Sequence, residues 1–328
     1  MIKRSGTCLR VTSEGISLTM TKSKEGQNRM RNIITEGLAL VGEGGEGKIY
    51  RLNEEQILKV YKRASYESVE YWFRTINAAI DYGITSAKAY EIVEAEDRYA
   101  VIFDYLDAKS VGRTIFGAPE CLEEYAERMG LLLKQLHSTE DKFDLLENVD
   151  ERMMRWYADS CKRNILPDNV ADKLQTILES IPKRSTLLHG DFHEGNIVVR
   201  NGELVCVDLD RMGSGHPIYD LMGLYLNHDV VSKKTPDFFE KSWGLTVEQV
   251  LAVKHRLLQT YYGVTGDKQL QEYEDIVAKS FLFRRMLLPV SPLLDLDDDA
   301  ARAYIKADVP TFLDIANELP DMIRSLPV

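Results

Sequence analysis

Leu187-Leu188-His189-Gly190-Asp191-Phe192-His193-Glu194-Gly195-Asn196-Ile197-Val198, with Val205-Cys206-Val207-Asp208-Leu209-Asp210-Arg211 soon after, is the stretch on which the reading of this 328-residue chain turns. Apolar runs at 187–188, 197–199 and 204–207 read as short strands, and Asn201-Gly202 is a strong two-residue hairpin signal. The hairpin returns Asp208 to the polar loop that holds Asp191 and Asn196, so three oxygen-bearing groups converge. Phosphoryl transfer asks little covalent chemistry of a protein. It needs an oriented hydroxyl, an in-line phosphate and cations that neutralise developing charge. Magnesium prefers such oxygen donors and shares them with phosphate. Two other readings compete. His189, Asp191 and His193, spaced by two, could hold a transition metal, but this needs strand geometry that Gly190 and Gly195 oppose. The segment could also be a polar loop with capping residues, a costly arrangement between apolar strands.

Upstream, Gly42-Glu43-Gly44-Gly45-Glu46-Gly47-Lys48-Ile49 fits two phosphate-binding templates. Read as G-x-G-x-x-G, it is a hairpin whose backbone lies over nucleotide phosphates, with Gly42, Gly44 and Gly47 permitting close approach. Read as a Walker A loop, it makes Lys48 the phosphate lysine. That motif wants Ser or Thr at position 49 and a helix afterwards, whereas Ile49 opens an alternating strand. A plain glycine turn without ligand is the third possibility, and Glu43 and Glu46 favour it through repulsion of a triphosphate. Lys59 bears on the choice. It stands inside the apolar strand Ile57-Leu58-Lys59-Val60-Tyr61, where an isolated lysine usually snorkels outward from an edge. A kinase-type hairpin instead places a phosphate-holding lysine on its third strand, oriented by a glutamate of the next helix. Glu70 is the first candidate for that partner and Glu67 the second.

The surrounding pattern predicts a three-stranded meander over Gly37–Val41, Lys48–Leu52 and Gln56–Tyr61, then a helix over Ser65–Tyr82. Strands follow at Ala89–Val93 and Tyr99–Tyr105. Beyond Leu106 the chain turns helical: a helix after Pro119 to about His137, others near 150–163 and 169–180, the compact β insert, and more helices over 218–328 with breaks near Pro236, Pro289, Pro292 and Pro310. The layout divides as 1–36, a basic extension; 37–106, a β-rich lobe; and 107–328, a larger helical lobe. Within the extension, residues 8–20 alternate as a hairpin would and 21–32 read as linker.

Composition narrows the classes. The chain carries 52 Asp+Glu against 41 Lys+Arg, a formal charge of −11, which argues against a general nucleic-acid binder. Residues 1–36 hold seven Lys/Arg and three Glu, so a +4 extension precedes a −15 body. No run approaches the roughly 18–20 apolar residues of a membrane span. Met1-Ile2-Lys3-Arg4 is followed by polar residues where a signal peptide needs an apolar core. Cys8, Cys121, Cys161 and Cys206 form no C-x-x-C pair. The expectation is a cytoplasmic protein with reduced thiols.

His189-Gly-Asp191-x-x-x-x-Asn196 followed by Asp208 resembles the signature of the aminoglycoside phosphotransferase family, which includes choline and other small-molecule kinases. Gly215-His216-Pro217-Ile218-Tyr219-Asp220-Leu221 resembles the stretch these proteins carry next. The resemblance spans about 37–328 and implies an α+β, protein-kinase-like two-lobed fold. It implies ATP and Mg2+ as cofactors, Asp191 as catalytic base, and Asn196 and Asp208 as magnesium ligands. Lys59 would hold the α/β-phosphates. Phe103-Asp104-Tyr105-Leu106 resembles the hinge, where the Asp104 carbonyl and Leu106 amide would meet adenine. His189 and Asp220 would be structural. Some positions depart from the family: Ser86-Ala87 replaces the usual hydrophobic–Pro step, and the helix glutamate sits early. Protein kinases proper would show H-R-D and D-F-G, where this chain has His189-Gly-Asp191 and Asp208-Leu-Asp210.

These features together predict an ATP/Mg-dependent phosphotransferase acting on a hydroxyl of a small molecule, without nucleic-acid or membrane partners. Asp295, Asp297, Asp298 and Asp299 would suit a cationic acceptor, unless they are a solvated helix start. The rival readings are a kinase-fold enzyme that modifies proteins and a non-catalytic nucleotide-binding module. The oligomeric state, ATP against GTP preference and the role of residues 1–36 are not legible.

Overall fold

Alternation along the third strand decides how the smaller lobe is layered. In the computed structural model, which describes residues 30–44 and 47–328, the strands β1 (Ala39–Glu43), β2 (Gly47–Arg51), β3 (Gln56–Tyr61), β4 (Ala89–Ala95) and β5 (Arg98–Asp104) form one antiparallel sheet. Their order is β1-β2-β3-β5-β4. Successive side chains of a strand point to opposite faces. Leu58 and Val60 therefore join Tyr50, Val93 and Ile102 in a core on one face, closed by Ile33, Leu38 and Leu52. Ile57, Lys59 and Tyr61 turn to the other face, toward helix α1 (Tyr66–Asp81) and the cleft. Helix α1 starts where Ser65 caps it, accepting from the Ser68 amide at 3.3 Å. It buries Val69, Ile76 and Ala79 against the sheet.

The predicted strands and α1 are all present, with shifted ends. β1 begins two residues later than expected because Gly37, at φ 84°, closes a turn in which the Leu38 amide donates to the Thr35 carbonyl. The expected hairpin at 8–20 and most of the expected linker lie outside the described residues. The last part of the extension is described: the Ile33 amide donates to Glu94 and the Glu94 amide to Arg31, a short parallel bridge on the edge of β4.

After a two-residue strand β6 (Lys109–Ser110) the larger lobe is built of α2 (Val111–Gly117), α3 (Leu122–Ser138), α4 (Val149–Lys162) and α5 (Asp168–Ser180). The expected single β insert is in fact two small sheets. β7 (Thr186–Leu188) pairs with β10 (Gly213–Gly215), while the hairpin β8 (Ile197–Arg200)–β9 (Glu203–Cys206) pairs with β6. The loop 189–196 carries the chain from one sheet to the other, which is why a short strand and a hairpin adjacent in sequence do not share a ladder. Asn201 and Gly202 both have positive φ (52° and 82°), as a two-residue type I′ turn requires. The remainder comprises α6 (Ile218–Tyr225), a π-helical turn at Leu226–Val231, α7 (Ser232–Lys234), α8 (Pro236–Trp243), α9 (Val247–Tyr262), α10 (Asp267–Leu287), α11 (Asp298–Lys306), α12 (Val309–Ile315) and α13 (Leu319–Ser325). One core runs through this lobe and under the sheet. The lobes are also pinned by two tyrosines of α1 and its C-cap. Tyr71 accepts from the Glu147 amide at 3.0 Å, and Tyr82 bonds Asp141.

Among the described residues, no helix is long and apolar enough to cross a membrane. Cys121, Cys161 and Cys206 are free thiols.

His216 gives the fold a pH signature. It is 2% exposed and its Nδ1 accepts from the Ile218 amide at 3.2 Å, an arrangement that suits neutral imidazole. Burial, with help from Arg184, pushes its pKa down to about 4. Between that value and an unfolded pKa near 6.5 the unfolded chain binds more protons, so stability falls as pH drops through this window. The full shift is worth about 3 kcal/mol. Urea midpoints at pH 7, 5.5 and 4.5 should decline, and His216→Gln should flatten part of that slope. An unchanged slope in the variant would assign the acid loss elsewhere. His193, also pushed down to about 4 by burial, contributes with the same sign.

Candidate active site

Backbone geometry brings the signature residues together. Val207 donates its amide to the Asn196 carbonyl at 2.9 Å, and Ile197 faces Cys206 across the hairpin. Asp208 thus emerges beside Asn196, in the left-handed conformation (φ 58°, ψ 45°). A non-glycine residue held there is strained, and such strain clusters at functional sites. Asn196 turns its Nδ2 to the Asp191 carbonyl at 3.0 Å, which leaves its side-chain oxygen for another partner.

The loop backbone is anchored from below. Asp220, 4% exposed, accepts from the amides of His189 and Gly190, both at 2.8 Å, and lies 3.2 Å from His137 Nε2. Burial raises the Asp220 pKa, but His137 and the loop donors outweigh this and hold it below the usual carboxylate range. Gly190 is required twice over: its φ is 82°, and a Cβ there would meet the Arg211 carbonyl at 2.2 Å. His189 is fully buried, and its Nδ1 accepts from the Asp191 amide at 3.3 Å. His193 accepts from the Gly195 amide at 3.0 Å and stacks on Trp243 with ring centroids 4.3 Å apart. The two histidines serve the loop's shape through these amides, and no group of three His, Cys, Asp or Glu side chains placed to hold a metal forms among the described residues. Asp191 presents its carboxylate half-buried, 3.7 Å from Arg211 Nη1 and 3.8 Å from His193 Nε2.

Lys59 reaches this cluster from the other lobe. Its Nζ lies 2.6 Å from Asp208 Oδ1 and 2.7 Å from Asp210 Oδ2. Burial alone would lower its pKa, but Asp210, Tyr61 and Asp208 hold it well above the ordinary lysine value. Asp208 in turn is kept low by Lys59 against the opposing effect of burial. The expected partner on α1 is corrected here. Glu70 is exposed and makes no ion pair or hydrogen bond among the described residues. Glu67 sits at the start of α1, where backbone and Ser65 hydrogen bonds lower its carboxyl. The cause is rotational. Val69, Ile76 and Ala79 fix which face of α1 is buried, and Glu70 falls on the outer one.

Between the lobes lies a cavity of about 440 Å³. The hinge residues Phe103, Asp104, Tyr105 and Leu106 line it, as do Lys59, Asn196, Asp208 and Asp210, and Val41, Ile49, Val198 and Leu209 supply apolar walls. Ser86 and Ala87, where a hydrophobic–Pro step is usual, also line it, and Ser86 bridges to Cys206 just ahead of Asp208. The strands that flank the glycine hairpin reach this space through Val41 and Ile49. The Gly44 amide donates to the Gly47 carbonyl at 3.0 Å, and a Cβ on Gly47 would come 2.4 Å from the Val60 carbonyl, whereas Gly42 and Gly44 have no such packing need. Gly45 and Glu46 lie outside the described residues. Lys48 sits in a strand and pairs with Glu96 at 3.6 Å, so the Walker reading fails on both lysine and helix. The acidic run is elsewhere: Asp297 caps α11, Asp298 pairs with Arg163 and Asp299 with Arg302.

A profile of the phosphotransferase enzyme family (APH) matches residues 38–251. The chain belongs to that family. No curated protein matches it in sequence. Solved structures align with this phosphotransferase-family chain over most of its length. One is aminoglycoside phosphotransferase APH(2'')-Ib in its ADP-bound form, at 18% identity and a TM-score of 0.54, covering 90% of this chain and 96% of that one. Another is the streptomycin–ATP–APH(2")-IIa ternary complex, at 16% identity and 0.51, covering 87% and 93%. A third is a choline/ethanolamine kinase family protein from Mesorhizobium loti, at 15% identity and 0.51, covering 88% and 92%. The phosphotransferase fold is therefore protein-kinase-like, α+β and two-lobed, as the motifs implied.

The sequence did not single out Asp210, Arg211, Glu194, His228 or Trp243. Asp210 carried a faint signal, an acidic residue two past Asp208. His228 and Trp243 carried none, because their proximity to the loop is created by the packing of distant helices.

Proposed function

We propose that this chain transfers the γ-phosphate of ATP to a hydroxyl of a small molecule with Mg2+ as cofactor. The observation that carries the reading is the interlobe cavity, whose walls hold a hinge at one end and Lys59, Asn196 and Asp208 at the other. Its size suits a nucleotide-scale ligand. The Asp104 carbonyl and Leu106 amide meet the base, the glycine hairpin covers the phosphates, and Lys59 neutralises them. The donor set fits magnesium: the Asp208 carboxylate, half exposed toward the cavity, and the side-chain oxygen of Asn196 are hard oxygen ligands. The ion, when bound, supplies positive charge against the phosphate oxygens. Asp191 Oδ accepts the proton of the acceptor hydroxyl as its oxygen attacks. Arg211, 3.7 Å from that carboxylate, stands beside the charge that develops.

Amino sugars and choline-like amines are the first acceptors to try. The neighbours of known structure include a streptomycin–ATP complex and a choline/ethanolamine kinase family protein. Sugars and nucleosides complete the screen, read as acceptor-dependent ATP consumption. Nucleotide use is tested separately. ATP with Mg2+ should raise the melting temperature, and Asp208→Ala should remove the metal-dependent part of that rise. No rise in the unmodified chain would end the nucleotide reading.

A further inference from the structure

We propose that the fully buried pair Glu194–His228 positions the catalytic loop, fixing the backbone between Asp191 and Asn196 against the π-helical turn at Leu226–Val231. Glu194 Oε1 lies 2.8 Å from His228 Nε2, and both residues are 0% exposed. The other ring nitrogen, Nδ1, faces the Leu224 carbonyl at 2.9 Å. Two oxygens on opposite edges of the imidazole fix its plane. Glu194 Oε2 has no hydrogen-bond partner among the described residues, so His228 is the group that holds this carboxylate. Apolar residues of similar volume fill such a space at no loss of stability, and often at a gain, so the pair is poor evidence for stability alone.

Its placement argues for loop geometry. Glu194 stands three residues after Asp191 and two before Asn196. Its carbonyl accepts from the Gly112 amide at 3.1 Å, and Gly112 is itself pressed on the Trp243 carbonyl, where a Cβ would come to 2.6 Å. On the next residue, a Cβ at Gly195 would meet Trp243 Nε1 at 2.8 Å. The loop is thus wedged between α2 and α8, and the Glu194 side chain is its tie to a third element. That element is a π turn, a backbone form found mostly as single turns at functional sites. The Ser232 hydroxyl donates to the His228 carbonyl, closing the turn around the ring. Lys254 on α9 is held 2.7 Å from both Asp229 Oδ2 and Glu274 Oε1.

Glu194 and His228 are positioning residues, since neither touches the cavity, and only the kinetic readout depends on the phosphotransfer reading. Glu194→Ala and His228→Ala should each lower kcat about 10- to 100-fold, the usual cost of removing a partner that orients a ligand, with KM for ATP unchanged. The double variant should be no worse than either single one. His228→Gln, which can still donate to Glu194, should recover most of the loss. Independent of turnover, amides 190–196 should exchange hydrogen faster in His228→Ala and return toward the original rate in His228→Gln. Should the alanine variants not fold, Glu194→Gln, which keeps the acceptor oxygen, should give an intermediate kcat and exchange rate. Multiplicative losses in the double variant, a rise in KM at constant kcat, or unchanged loop exchange would overturn the proposal. If the unmodified chain transfers no phosphate, the phosphotransfer reading fails alone, and loop exchange still decides for or against the pair.

Discussion

Asp191→Asn is expected to lower phosphate transfer by roughly 10²- to 10⁴-fold, the usual contribution of a positioned general base, while ADP affinity stays within about twofold. The substitution keeps the size and polarity of the side chain and removes its capacity to take a proton. The loop should survive it, because the anchors of that backbone lie elsewhere: Asp220 holds the amides of His189 and Gly190, and Asn196 Nδ2 bonds the Asp191 carbonyl, not its carboxylate. Nucleotide contacts should survive too, since the hinge, Lys59 and Asp208 line the cavity without Asp191. Arg211 and His193, 3.7 and 3.8 Å from the carboxylate, lose an ionic neighbour. Single-turnover transfer to whichever acceptor emerges from the screen, beside calorimetric ADP titration, separates the two effects. Undiminished transfer would remove Asp191 as base. An equal loss of ADP affinity would show that the loop, not the proton, had been disturbed.

The division between what the residues announced and what they concealed follows distance along the chain. Local chemistry was legible. Asn201-Gly202 specified its turn because both residues must take positive φ. Asp191, Asn196 and Asp208 were legible as a group because only a loop and one hairpin separate them. The partner of Lys59 was not. Choosing Glu70 required the rotation of α1, which is set by how Val69, Ile76 and Ala79 seat on a sheet formed from other segments. The β insert was misassembled for a similar reason. β7 finds its ladder partner 25 or more residues away in β10, which is three residues long and begins and ends on glycine. His228 and Trp243 reach the loop only after α6, the π turn and α8 have packed, and nothing in their neighbourhood announces it.

The consequence for Lys59 is a test with contrasting arms. Among the described residues, Asp208 and Asp210 hold its ammonium, and their exposure divides their roles. The Asp208 side chain is 49% exposed and faces the cavity, while that of Asp210 is 5% exposed. Were Asp208 to serve as ligand to a divalent ion, Asp210 would be the carboxylate left to orient the lysine. Asp210→Asn should therefore lower kcat/KM for ATP by about 10- to 100-fold, or 1.4–2.8 kcal/mol, and should lower the melting temperature because it removes one partner of a buried pair. Glu70→Gln, on the exposed face of α1, should change both by less than about twofold and one degree, within the small range of surface substitutions. Steady-state ATP kinetics and thermal melts on the two variants, run beside the unmodified chain, give the comparison. If Glu70→Gln costs as much as Asp210→Asn, α1 must rotate in the working enzyme to bring its glutamate to Lys59. If only Asp210→Asn is costly, the lysine's anchor is the residue two past Asp208 and not a helix glutamate, which frees α1 to be fixed to the larger lobe through Tyr71 and Tyr82.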